Sequence, residues 1–389
     1  MKAIVNARLV LHDHVLVGSI LMADGVIRQV GDFEPPPGAE VYDAGRRYVA
    51  PGLIDIHVHG GGGHSLMTDD PEEIRAFARW AVRHGVTSFL VSTAAPDHDR
   101  LRRRLEACAP AIGPAHGGAE ALGFHLEGPF INPERRGAFD ASWLRPPDAV
   151  AYRELAAAAA GHVRLVTLAP ELPGAEELIA SVLESGAVPA MGHTDADDET
   201  ARRAVRCGVR HVTHTFNAMR PFAHRDPGCL GVIFTEPGLT AELIGDGAHV
   251  HPVAGLTLVR TKGVDGVVLV TDGIPLAGVE AGETTWAGMR VRVEGGKAVR
   301  SDGVIVGGVT TLERMVANAV AWFGVTLPEA VRMASLNPAM AIGVDDHKGS
   351  LAAGKDADLV VLDDGLRVLE TYVRGEHVYT TQALQRAHV

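Results

Sequence analysis

Eight short apolar runs punctuate the middle of the chain, at residues 52–59, 86–93, 121–128, 163–171, 187–194, 209–217, 240–247 and 264–273. Each is too short for a buried helix and reads as a strand. Most of the gaps carry helical periodicity. One is "PEEIRAFARWAVRHG", residues 71–85, with proline at its start and glycine at its end. Strands that alternate with helices build a parallel sheet covered by helices. Eight in succession predict an α/β fold of the (β/α)8, or TIM-barrel, type rather than an open doubly wound sheet. The gap between the sixth and seventh strands is the least helical. After the eighth strand, residues 288–308 read as an inserted hairpin, followed by helices over 310–324 and 326–336.

The two ends of the chain have a different texture. The first fifty residues alternate apolar runs with turns, and Asp24–Gly25 between two such runs is a hairpin signal. Residues 349–379 return to that style. Neither piece is long enough to bury a core alone. The expectation is a small β-sandwich domain from residues 1–50 plus 349–389, beside a barrel domain over 51–348.

Bulk properties narrow the function. The 389 residues carry 36 Lys and Arg against 48 Asp and Glu, a formal charge of −12. That balance argues against nucleic acid or an anionic membrane as a partner, since both require a basic face. The three cysteines, Cys108, Cys207 and Cys229, are far apart in the sequence and form no CxxC, which fits a reducing compartment. The first twenty residues lack the apolar segment of a signal peptide. No run approaches the ~18–20 apolar residues of a membrane span. A cytoplasmic location is expected.

In such a barrel the chemistry sits where the strands end. The first strand ends on His57 and His59, aimed alike by the period of two. The third ends on His125 and Glu127, the fifth on His193, the sixth on His214, the seventh on Asp246 and the eighth on Asp272. Imidazole and carboxylate are the ligands of a catalytic zinc or similar divalent ion. Burying Glu127, His193 and His214 together without a partner would cost several kcal/mol. Asp272 follows "VVLV" and suits the proton carrier beside a metal-activated water. His125 and His211 are expected in helix–strand packing. His12, His14, His84, His98 and His116 are expected on solvated surfaces. Gly60–Gly63 reads as a tight backbone turn.

"PGLIDIHVHG", "HLEGPF", "GHTDA", "HTFNAM", "IGDGAHV", "VTDG" and "KGSLAAGKDADLVVLD" follow one another along nearly the whole chain. In this order they resemble the amidohydrolase superfamily, and within it the N-acetylglucosamine-6-phosphate deacetylase family. Many superfamily members carry a carboxylated lysine after the fourth strand; here Glu127 takes its place. The resemblance implies that Glu127, His193 and His214 hold the principal divalent metal. His57 and His59, with Glu127 and Asp272, would hold a second, giving one or two ions per subunit. Zn2+ is the first choice, with Fe2+, Mn2+ or Co2+ as alternatives. Asp272 would be general base and then general acid.

The same resemblance places substrate against Ala138, Asn217, Ala218, His249, Ile305, Val306 and Gly307. It implies a homodimer in which Arg225 reaches the sugar phosphate in the neighbouring site. The implied activity is metal-dependent hydrolysis of the N-acetyl group of a phosphorylated N-acetyl amino sugar, N-acetylglucosamine 6-phosphate, giving glucosamine 6-phosphate and acetate. The alternatives are N-acetylgalactosamine 6-phosphate, another N-acyl compound, or a non-catalytic sugar-phosphate-binding homologue. Two positions depart from the pattern. Phe139 stands where the family has a histidine near the acetyl carbonyl, and phenylalanine donates no hydrogen bond. His64 is a candidate replacement. Gly308 stands where the family has serine, which bears on sugar preference.

Overall fold

The computed structural model describes residues 1–279 and 282–381. Residues 382–389, assigned above to the terminal domain, lie outside them.

The chain ends do pair. Eight terminal strands form one hydrogen-bonded sheet. Lys2–Val10 runs antiparallel to Val15–Ala23 on one side and parallel to Glu40–Asp43 and then Tyr48–Pro51 on the other. A register shift between Ile4 and Ala7 accompanies the change of partner. Tyr48–Pro51 is the seam, because it pairs antiparallel with Leu359–Leu362 from the far end of the chain. The Asp24–Gly25 turn has both residues at positive φ (54° and 78°), as a type I′ hairpin requires. Ile4, Leu9, Ile20, Ile27, Val49 and Leu359 form the separate core of this sheet.

The central sheet holds all eight anticipated strands in sequence order: Leu53–Asp55, Val86–Thr93, Glu120–Glu127, Val163–Leu168, Val188–Met191, His211–Val212, Thr240–Leu243 and Val267–Leu269. Every neighbouring pair is parallel. The ring closes just past the first and eighth strands, where Asp272 N donates to His57 O at 2.8 Å and His59 N to Gly273 O at 2.7 Å. Ile54, Ile56, Leu90, Leu165, Val268 and Val270, in or just beyond the barrel strands, belong to one buried cluster. Helices cover the outside. Pro71–Ala81 begins at an Asp70 cap with proline in its first turn, and buries Ile74, Phe77, Ala78 and Ala81. A 3-10 turn continues it to Gly85, whose φ of 72° ends it.

Two segments differ from expectation. The gap after the sixth strand contains a helix, Gly228–Thr235, hidden because its residues are apolar on nearly every side. The insertion after the eighth strand is a four-stranded antiparallel sheet, not one hairpin: Glu283–Trp286, Met289–Glu294, Lys297–Val299 and Ile305–Gly307. Its first strand reads "ETTW" and shows too little apolar alternation to register by itself. It is held by Trp286, which packs with Val291, Ala298 and Val306.

The "KGSLAAGKDAD" segment locks the barrel to the terminal sheet. Lys348 is buried, with its Nζ 2.9 Å from carboxylate oxygens of Glu120, Asp356 and Asp358. Burial alone would lower the Lys348 pKa, but the surrounding carboxylates raise it well above its ordinary value. Among the described residues no helix is long and apolar enough to cross a membrane.

Candidate metal and substrate site

Glu127, at the end of the third strand, is the hub of the site. Its Oε1 lies 3.0 Å from His193 Nε2 and 3.1 Å from His214 Nε2, and those two nitrogens are 3.0 Å apart. Its Oε2 lies 2.8 Å from His59 Nε2. Asp272 Oδ1 is 3.5 Å from both His57 Nε2 and His59 Nε2. The anticipated ligands thus form two donor groups that share Glu127. One is Glu127, His193 and His214; the other is His57, His59, Glu127 and Asp272, and in each the ligand atoms lie within 4.8 Å of one another. His193, His214 and Asp272 take positive φ (47°, 27° and 46°). That backbone is costly for non-glycine residues and collects at functional sites.

The donor chemistry fits a divalent cation. His57 Nε2 is buried without a hydrogen-bond partner among the described residues and faces Glu127 and Asp272. The His193 and His214 nitrogens crowd one carboxylate oxygen from two sides. Lone pairs converging in this way need a positive charge between them.

Beyond this hub lies an open cavity of about 780 Å³, lined by His59, Glu127, His193, His214 and Asp272 at its floor. Ala138, Asn217, Ala218, His249, Ile305, Val306 and Gly307 all line it. Arg225 does not: it is exposed on its loop, away from the cavity of its own chain. Phe139 lines the cavity with its ring edge-on to His193 at 5.5 Å. His64 is no replacement for the absent histidine. It sits half-buried beside Glu73 at 3.4 Å and lines no part of the cavity.

Several expectations need correction. His125 is not in helix–strand packing. It lies between Ser92 Oγ (2.9 Å) and Thr167 Oγ1 (2.8 Å) on neighbouring strands, with its ring edge-on to His57 at 4.6 Å. Two residues before Glu127, it shares the face of the strand that Glu127 uses. His211 likewise turns to Glu242, at 3.1 Å. Asp246 joins neither donor group; its Oδ2 pairs with His249 Nδ1 at 2.7 Å. His84 and His98 are not simply solvated, since they pair with Glu313 (2.9 Å) and Glu154 (2.8 Å).

The glycine readings have a steric basis. A Cβ on Gly61 or Gly62 would stand 2.2 or 2.3 Å from the Trp80 ring. A Cβ on Gly308 would stand 2.1 Å from Thr271 O, and Gly308 N donates to Asp272 O at 2.7 Å. Glycine there lets the inserted sheet close against the base of Asp272.

Sequence reasoning did not single out several other residues of the site. Arg100, Arg103, Arg104 and Arg300 line the cavity. Asp55 accepts from Thr271 Oγ1 at 2.6 Å, and burial pushes its pKa to about 7. Glu242, fully buried, accepts from His57 Nδ1 at 2.8 Å. Asp55 stood in view inside "GLIDIHVH", and its lone charge in a buried strand was the available clue.

The amidohydrolase family model matches residues 48–381. The chain belongs to the amidohydrolase family. Its relatives include the N-acetylglucosamine-6-phosphate deacetylases of Bacillus subtilis, 34% identical over 94% of this chain and 93% of theirs, and of Homo sapiens, 38% identical over 88% and 86%. The N-acetylgalactosamine-6-phosphate deacetylase of Escherichia coli O157:H7 is 35% identical over 94% and 95%. Among solved structures, a mutant N-acetyl-D-glucosamine-6-phosphate deacetylase from Mycobacterium smegmatis, in complex with N-acetyl-D-glucosamine-6-phosphate, superposes with a TM-score of 0.91. It is 33% identical and covers 97% of this chain and 99% of its own.

Proposed function

We propose that the chain hydrolyses the N-acetyl group of N-acetylglucosamine 6-phosphate, releasing glucosamine 6-phosphate and acetate. The observation that carries this is the meeting of Glu127, His193 and His214 with Asp272 on the floor of one cavity whose wall holds His249. In this reading Glu127, His193 and His214 hold the principal ion, and His57, His59, Glu127 and Asp272 hold a second. Zn2+ is the first choice, and Fe2+, Mn2+ or Co2+ suit the same donors. Such an ion supplies Lewis acidity toward the amide carbonyl and toward water.

Asp272 does the proton work. It takes a proton from the attacking water and delivers it to the departing amine nitrogen. His249 is poised for the phosphate: burial opposes its protonation, but Asp246 outweighs burial and raises its pKa. Asn217 and Ala218 bind the sugar. Arg225 serves the neighbouring site of a homodimer, where its planar fork suits a phosphate dianion. The cell compartment in this reading is the cytoplasm, and the barrel over 51–348 is the catalytic domain. The Escherichia coli relative supports a second reading, the galactosamine epimer.

Amine release from N-acetylglucosamine 6-phosphate, N-acetylgalactosamine 6-phosphate and unphosphorylated N-acetylglucosamine tests this. One charge-assisted hydrogen bond lost at about 1.5–3 kcal/mol predicts that removing the phosphate lowers kcat/KM by about 10–150-fold. An unchanged kcat/KM would overturn the phosphate reading.

A further inference from the structure

Glu242 lies on the seventh barrel strand, Thr240–Leu243, with no solvent exposure. A buried carboxylate is costly unless its oxygens are satisfied. Oε2 accepts from His57 Nδ1 at 2.8 Å and from the backbone N–H of His214 at 2.9 Å. Oε1 accepts from His211 Nε2 at 3.1 Å, and His211 Nδ1 meets Thr240 Oγ1 at 2.7 Å. Glu242 therefore touches one member of each donor group and is itself a ligand in neither.

We propose that Glu242 is the positioning residue that turns His57 into a metal ligand and so builds the second cation site from His57, His59, Glu127 and Asp272. This rests on the reading of the cluster as a metal centre. A carboxylate only accepts, so the short contact puts the proton of the neutral imidazole on Nδ1. Nε2 is then left bare, aimed at Glu127 and Asp272, each 3.5 Å away. His59 has no such support: its Nδ1 is buried without a partner among the described residues. His193 is oriented independently, by Arg135 O at 2.7 Å from its Nδ1. Glu242 reaches His214 only through the backbone amide. Its loss therefore falls on the His57 group far more than on the group of Glu127, His193 and His214.

The test is equilibrium dialysis of the metal-stripped full chain against Mn2+, with metal analysis and near-UV circular dichroism. Wild type is expected to bind two ions in two affinity classes. In Glu242→Ala one class weakens by about 10–100-fold, the usual effect of removing a carboxylate behind a ligating histidine. The other class stays within about threefold of wild type, well below the range of such losses. Glu242→Gln keeps an acceptor for His57 Nδ1 and is expected to recover most of the affinity. Where Glu242→Ala does not fold, Glu242→Asp decides: its carboxylate falls one methylene short of His57, and the same class alone should weaken. Unchanged binding in these variants overturns the proposal. So does equal loss of both classes in Ala and Gln with altered dichroism, which marks Glu242 as structural. A wild type that binds one ion overturns the proposal and leaves the hydrolase reading intact, whereas a wild type that binds none overturns both.

Discussion

Replacing Asp272 by asparagine isolates the proton-carrying step. The backbone around Asp272 is held at both sides: its N–H donates to His57 O at 2.8 Å, and its carbonyl accepts from Gly308 N at 2.7 Å. Its φ of 46° lies in the left-handed region, which asparagine tolerates better than most residues. The substitution therefore keeps shape and backbone and removes only the basic oxygen. The side chain is 15% exposed and faces His57 and His59, so bulk water does not readily replace it as a proton acceptor. Positioned general acid–base catalysis contributes about 10²–10⁴-fold. At about 1.36 kcal/mol per decade, the barrier rises by roughly 3–5 kcal/mol. Acetate release under saturating substrate should show kcat down by that factor. KM should move by less than about threefold, as expected for an interaction made in the transition state. Metal content of the same preparation is measured in parallel. A fall of less than about tenfold with full metal content refutes the proton role, being below the usual contribution of such a group. A loss of kcat that tracks loss of the ion also refutes it, and leaves Asp272 as a ligand only.

His249 and Asp246 make a pH-dependent pair. Burial works against His249 protonation, but Asp246 raises its pKa above the ordinary value. The stabilisation this gives is fully present below an unfolded pKa of about 6.5 and fades as pH rises through the folded value. Burial would raise the Asp246 carboxyl, but His249 holds it lower; its contribution is present above about 3.9 and fades as pH falls through the depressed value. KM for a phosphorylated substrate should rise as His249 loses its proton. Asp246→Asn should move that rise to lower pH, and a pH–KM profile unchanged by the substitution would contradict the pairing. In the glycine turn, Gly62→Ala adds a Cβ 2.3 Å from Trp80 at φ 59°. Left-handed backbone costs about 1–2 kcal/mol and overpacking about 1–3, so a loss of about 2–5 kcal/mol is expected in denaturant unfolding. A loss below 1 kcal/mol would show that Trp80 yields freely.

The chain's own order already carried the strand–helix rhythm, the strand-and-turn texture of its two ends and the polar residues at the strand tips. Those features are local: a strand has a period of two, and a strand tip is visible wherever an apolar run stops. Glu127, His193 and His214 were legible for that reason, as was Asp272 behind "VVLV". Which residues meet across the barrel was decided by its closure. Glu242 finds His57 across 185 residues, and Lys348 finds Glu120, Asp356 and Asp358 between two sheets. The inward turn of His125, the pairing of Asp246 with His249 and the arginines of the cavity wall have the same origin. A buried charge must be met by another group, but the partner is chosen by geometry in space, and spacing along the chain holds no record of it.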